Sequence, residues 1–286
     1  MAKIHPRPEL LDGPIQLLPE VRGRFLRHLR ACPACREALR GPEPGTRPDG
    51  NLLSWPAAAT EHGRAVDGVL AGFRPRFQAA ARERAEAPAL FSELLAHGPE
   101  RREVLARNSR RFRNLPLCGL LLTRGTQDAL DAPHQGERLA ALALGLVDSL
   151  DPAWYGDRVL ADARGCCWTV IANARRVAAD LPGAEAALQV ARTHLGQGTG
   201  DRLEKARLLA CKACLRRAQG RLAEAAALFR RAVSVFLAAG EPHRAAESIV
   251  GLALTEYDSG RPERAVRLLE AATLLLDPGT ARQAAG

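Results

Sequence analysis

The sequence predicts an all-α protein in two parts, a small zinc-stapled helical module followed by a helical-repeat solenoid. Three observations carry that expectation. The 286 residues are 47% hydrophobic with 4% aromatics and rich in alanine, leucine and arginine, a composition of packed helices rather than of sheets. Near the N-terminus, H-x3-C-x2-C at His28, Cys32 and Cys35 places three soft ligands within reach of one zinc ion. In the C-terminal part, Gly220-Arg221-Leu222-Ala223-Glu224-Ala225 returns forty residues later as Gly260-Arg261-Pro262-Glu263-Arg264-Ala265, and such a period marks a repeat architecture.

The first part, residues 1–40, is read as a helix over about Leu18 to Ala31, a corner at Cys32 and a second helix from Pro33. His28 and Cys32 stand at i and i+4 on one helix face. Pro33 pushes Cys32 out of the helical region and itself suits the first turn of a new helix. Cys32 and Cys35 then lie at a helix start, where the macrodipole favours thiolates. His5 is the upstream residue of the right type for the fourth ligand, with Glu9, Asp12, Glu20 or a water as substitutes. The set His5, His28, Cys32, Cys35 resembles the signature of the zinc-binding anti-sigma factor domain, a zinc-finger module. That resemblance covers the first seventh of the chain. It implies one structural zinc stapling a small helical bundle that grips a sigma factor, and in some members a metal ejected by cysteine oxidation. The chain departs from many such proteins in having a helical-repeat region where they have a membrane span.

Residues 41–59, opening with Gly41-Pro42-Glu43-Pro44-Gly45, cannot hold a helix and read as a linker. From about Thr60 to Ala96, Val66, Leu70, Phe73 and Phe77 recur at helical spacing, and Leu90, Phe91, Leu94 and Leu95 resume it, with Pro88 expected to mark a helix start. Further helices are expected from Arg102 to Leu122, interrupted near Pro116, and from Glu137 to Leu150, stopping at Asp151-Pro152. Residues 60–160 thus form a helical region with degenerate hairpins.

Residues 161–286 carry the repeats. Leu181, Ala184, Leu188 and Ala191 precede Leu222, Ala225, Phe229 and Ala232 by forty-one residues, so each unit is two helices joined by a tight turn, alanines letting them approach and Leu228 and Phe229 filling the seam. These units resemble tetratricopeptide repeats: Trp168, Ile171 and Ala172, then Leu209, Ala213, Gly220 and Leu222, then Ile249, Ala253 and Gly260 stand at that motif's positions. The period of forty exceeds the usual one, which implies longer helices or connections. In that family the first helices line a concave groove that binds a peptide or partner helix. The register carried over puts Thr169, Asn173, Arg176, Arg207, Cys214, Arg217, Glu247, Leu254 and Tyr257 on it. Asn173, Arg176 and Arg217 are candidates to clamp a carboxylate or peptide backbone, and Tyr257 an aromatic anchor.

Net charge is +9 with seven cysteines. The charge is spread along the chain, apart from a cluster of Arg107, Arg110, Arg111 and Arg113 that could hold anions or nucleic acid. An odd number of scattered cysteines argues for a reducing compartment and metal binding rather than disulfides. Cys211 and Cys214 fall inside a helix and read as small packing residues, and adjacent Cys166 and Cys167 diverge too far to share a metal. The N-terminus has no apolar signal region and no stretch approaches a membrane span, so the chain is expected to be cytoplasmic, of bacterial type and without membrane contact. No P-loop, G-x-S-x-G or H-E-x-x-H motif occurs, and no enzyme is expected. The expected function is a zinc-binding adaptor working by protein–protein contact, with anti-sigma-like transcription control. A general tetratricopeptide scaffold with purely structural zinc and a nucleic-acid-associated regulator using the arginine patch are the alternatives. A module of about forty residues has too small a core to fold unaided. A chelator should therefore melt residues 1–40 and spare the repeats, with limited proteolysis and far-UV circular dichroism as the readout; a segment unchanged by metal removal rejects structural zinc.

Overall fold

The computed structural model describes the backbone of residues 58–276 and the side chains of residue 76 and residues 78–276. The proposed ligands His5, His28, Cys32 and Cys35 lie outside the described residues. The chain divides into two compact units, Met1–Ala71 and Gly72–Gly286. The second unit holds all of the described side chains.

All regular structure among the described residues is helical, in eleven α-helices. They are α1 (Ala58–Leu95), α2 (Pro99–Asn108), α3 (Leu115–Asp131), α4 (Pro133–Asp148), α5 (Pro152–Tyr155), α6 (Asp157–Val177), α7 (Leu181–Gln197), α8 (Arg202–Ala218), α9 (Leu222–Ala238), α10 (Pro242–Asp258) and α11 (Pro262–Leu276). The helices pack chiefly in adjacent pairs, α3 with α4, α6 with α7, α8 with α9 and α10 with α11. Each pair is also in contact with the next one.

Local chemistry sets the starts. Proline occupies the first turn of α2, α3, α4, α5, α7 and α10, where its missing N–H costs nothing. Side-chain oxygens of Asn114, Asp151, Asp180 and Asp201 accept from Leu117 N, Ala153 N, Gly183 N and Leu203 N at 2.7–2.9 Å, capping α3, α5, α7 and α8. Pro88 lies in the interior of α1 rather than at a helix start. There its ring leaves the Arg84 carbonyl without its usual donor. The break expected near Pro116 falls instead at residues 109–114, where a 3-10 turn (Arg110–Phe112) buries Phe112, and Pro116 sits in the first turn of α3. Asn114 Nδ2 and Tyr155 Oη both donate to Glu83, to its carbonyl at 2.9 Å and to its carboxylate at 2.8 Å. These bonds tie α1 to the N-cap of α3 and the end of α5.

Four of the stops share one device. Ala179, Gly220, Gly240 and Gly260 adopt φ of 65–74°. The next residue's N–H bonds five residues back, Asp180 to Arg175, Arg221 to Arg216, Glu241 to Phe236 and Arg261 to Glu256, at 2.8–3.0 Å. This is the Schellman stop, which satisfies carbonyls a helix end leaves bare and reverses the chain in three residues. The forty-residue period therefore resolves into two helices and two such turns.

The buried faces are small. Ala184, Ala187, Ala191, Ala225, Ala232, Ala265 and Ala272 are all at most 5% exposed, which lets the helices of a pair approach closely. At the α3–α4 crossing, a Cβ on Gly136 would stand 2.6 Å from the Gly125 carbonyl oxygen. A continuous apolar cluster runs from Ala87 through Phe112, Leu121, Leu146 and Cys167 to Leu215. Smaller clusters centred on Phe236, Phe229 and Ile249 continue it through α10 and α11.

At Gly220 nothing lies within 4 Å of an added Cβ, so replacement there acts through the backbone alone. Gly220→Ala should cost about 1 kcal/mol, and Ala179→Gly should gain a similar amount because it relieves an alanine held at positive φ. Urea midpoints of the two variants check this; equal midpoints would show that the turns do not limit stability.

Candidate functional site

The first helices of the four pairs line one groove of about 480 Å³. α3 contributes Thr123, Thr126 and Gln127; α6 Thr169, Val170 and Asn173; α8 Arg207, Ala210, Cys211 and Cys214; α10 Arg244, Glu247, Ser248 and Gly251. Phe229 and Phe236 of α9 close the floor, both 2% exposed. The result is a polar wall over an apolar base, the usual make-up of a recognition groove.

Five residues expected on a groove face, Thr169, Asn173, Arg207, Cys214 and Glu247, line it together. Arg176 reaches the same helix face and donates from Nε and Nη2 to Asn173 Oδ1 at 3.2 and 2.9 Å. That bond holds the amide with its carbonyl engaged and its NH2 group available as a donor. Arg217 pairs with Asp258 at 2.6 Å, bridging α8 to α10, so its first role is to join two of the groove's helices. Arg207 pairs with Glu204 at 3.1 Å and Arg244 with Glu241 at 3.8 Å. Leu254 and Tyr257 are 42% and 64% exposed on α10 and do not line the groove.

Sequence reasoning missed the α3 wall and the Phe floor. The α3–α4 pair lacks the Gly-Arg turn that announces the last two pairs, and Pro133 starts α4 directly after Ala132. The floor did leave a signal, since Phe229 falls in the helix seam that the repeat pattern marks.

The arginine cluster is not one helix face. Arg107 ends α2 and pairs with Glu103 at 3.9 Å; Arg110 and Arg111 belong to the 3-10 turn; Arg113 follows it. Arg111 is taken up by Glu93 at 2.7 Å, while Arg110 and Arg113 are exposed.

The thiols are packed. Cys166 Sγ donates to Glu204 at 2.9 Å and Cys211 Sγ to the Thr169 carbonyl at 3.6 Å, the latter a cross-brace from α8 to α6. Burial, then the neighbouring Cys214, pushes the Cys211 thiol up to about 12, and burial pushes Cys118 up to about 12 as well. Cys166, Cys167 and Cys214 are also raised, in each case first by burial. These thiols stay protonated near neutrality and are weak nucleophiles and weak metal ligands. No group of three or more His, Cys, Asp or Glu that could hold a metal occurs among the described residues.

Compared with known proteins, the chain matches no family model, no curated protein and no solved structure.

Iodoacetamide at mildly alkaline pH should leave Cys118, Cys166, Cys167 and Cys211 unlabelled in the native chain and modify all four after unfolding in urea. Peptide mass spectrometry reads the difference, and fast native labelling of Cys211 would mean that the groove base opens.

Proposed function

We propose that this protein is a non-enzymatic adaptor that works by protein–protein contact, with its partner laid along the groove of α3, α6, α8 and α10. On this reading the helix pairs form a tetratricopeptide-like solenoid. The observation that carries it is the groove itself: side chains from the first helices of four consecutive pairs converge on one concave, polar-walled surface with a phenylalanine floor. Donors and acceptors for a peptide backbone stand there beside apolar ground for its side chains. Asn173, its carbonyl held by Arg176, offers an N–H2 group, and Glu247 is exposed opposite it on α10. We further propose that residues 1–40 form a zinc-held head, one structural Zn2+ on His5, His28, Cys32 and Cys35, and that the whole acts in transcription control of the anti-sigma kind in a bacterial cytoplasm. H-x3-C-x2-C supports that second part.

Affinity purification from the source cell, read by mass spectrometry, should recover a protein that the double variant Asn173→Ala with Glu247→Lys loses and Cys32→Ser keeps. Neither groove residue is a core residue, so circular dichroism should be unchanged. The opposite pattern, loss with Cys32→Ser and retention by the groove variant, moves the partner to the N-terminal head. Recovered proteins without RNA polymerase or a sigma factor among them would end the anti-sigma reading while leaving the groove intact.

A further inference from the structure

The repeat defines a seat that is filled inside the stack and, among the described residues, open at its end. α10 lies against α8 and α9, with Phe229 against Gly251 and Leu252, and Phe236 against Ala245. Adding forty to the residues of α8 and α9 that make this seat leads to α10 and α11: Ala210 becomes Val250, Cys214 becomes Leu254, Ala226 becomes Val266, Phe229 becomes Leu269 and Phe236 becomes Leu276. Ala226, Phe229 and Phe236 are 2–3% exposed, whereas Val266, Leu269 and Leu276 are 54%, 41% and 47% exposed, with Val250 and Leu254 at 38% and 42%. A run of large apolar side chains on one face of two adjacent helices is the signature of a docking surface.

Charge says what docks. In each filled seat a charged residue of the second helix, the fifth residue in α4 and α7 and the ninth in α9, pairs with the residue two places before the end of the helix it receives. Glu137 of α4 pairs with Arg175 of α6 at 2.8 Å, Glu185 of α7 with Arg216 of α8 at 3.0 Å, and Arg230 of α9 with Glu256 of α10 at 3.0 Å. Arg230 and Glu270 hold the same place in α9 and α11. The open seat therefore presents a carboxylate where the last filled seat presents a guanidinium. We propose that the α10–α11 end face receives an amphipathic helix of a partner protein, apolar along one face and carrying an arginine or lysine in its last turn to meet Glu270. This surface is separate from the groove, and neither reading depends on the other.

Two synthetic peptides test it on the full chain by fluorescence anisotropy. One copies residues 202–218 with Cys211→Ala and Cys214→Ala and keeps the cation at Arg216; the other copies residues 242–258, with Glu256 in that place. The first should bind the wild-type chain saturably and bind Glu270→Arg about tenfold more weakly, while the second should show the reverse preference. Leu269→Asp, an exposed position, should abolish both. Failure of the 202–218 peptide to bind, equal binding of both peptides to both chains, or binding that survives Leu269→Asp each overturns the proposal. A wild-type chain whose face is already closed, by a second copy or by its own residues, gives no binding and counts the same way.

Discussion

One residue position, two before the end of the first helix in each of the last three pairs, carries two loads at once. Its backbone carbonyl accepts the bond that closes the turn, and its side chain reaches the second helix of the pair before. Arg175, Arg216 and Glu256 all do this. The turn and the stacking register thereby meet at the same residue, so a pair that slides against its neighbour loses the ion pair anchored beside its turn. Arg216 is 6% and Glu256 1% exposed. Burial pushes the Glu256 carboxyl up, but Arg261, Arg264 and Arg230 outweigh it and hold it below the ordinary carboxylate value. Buried ion pairs of this kind add little net stability over an apolar replacement and are costly to break, so their value lies in specifying register.

The polarity of that lock is not constant. Arg216 with Glu185 of α7 becomes, one repeat on, Glu256 with Arg230 of α9. A swapped sign distinguishes neighbouring seats that are otherwise alike in shape, because a helix shifted by one pair would bring like charges together. This lock and the contacts around it engage several of the arginines. Arg175, Arg216, Arg217, Arg230 and Arg261 all sit in ion pairs between or at the ends of helices, so a sequence charge of +9 describes internal joinery as well as surface.

The groove is a consequence of this spacing. From α8 on, a helix every twenty residues, turned by the same three-residue stop, returns the first helix to the same side. What lines that side is then set by helical periodicity. Thr169 and Asn173, Arg207 and Cys214, and Glu247 with Gly251 recur at three, four or seven residues and fall into line. The floor depends on exclusion as much as on contact, since any side chain on Gly251 would collide with the Phe229 ring.

The sequence by itself determined the helical class, the forty-residue unit, the turns at Gly220 and Gly260 and five of the groove residues. The first three follow from local rules, since a glycine at positive φ, a periodic alanine and a proline in a first turn act within a few residues; the groove residues came from the register carried over from the tetratricopeptide resemblance. The turn at Ala179 was hidden because alanine pays there for a conformation that it does not announce. Gly240 was hidden because it joins one unit to the next rather than lying inside one. Pro88 misled for the converse reason: a residue that ordinarily opens a helix is held inside α1 where Asn114 and Tyr155 grip the neighbouring Glu83. Only the tertiary structure decided that Arg217 is a brace between α8 and α10, that Cys211 ties α8 to α6, and that α3 completes the groove. Each of these joins residues forty or more positions apart, and no spacing rule within one helix reaches that far.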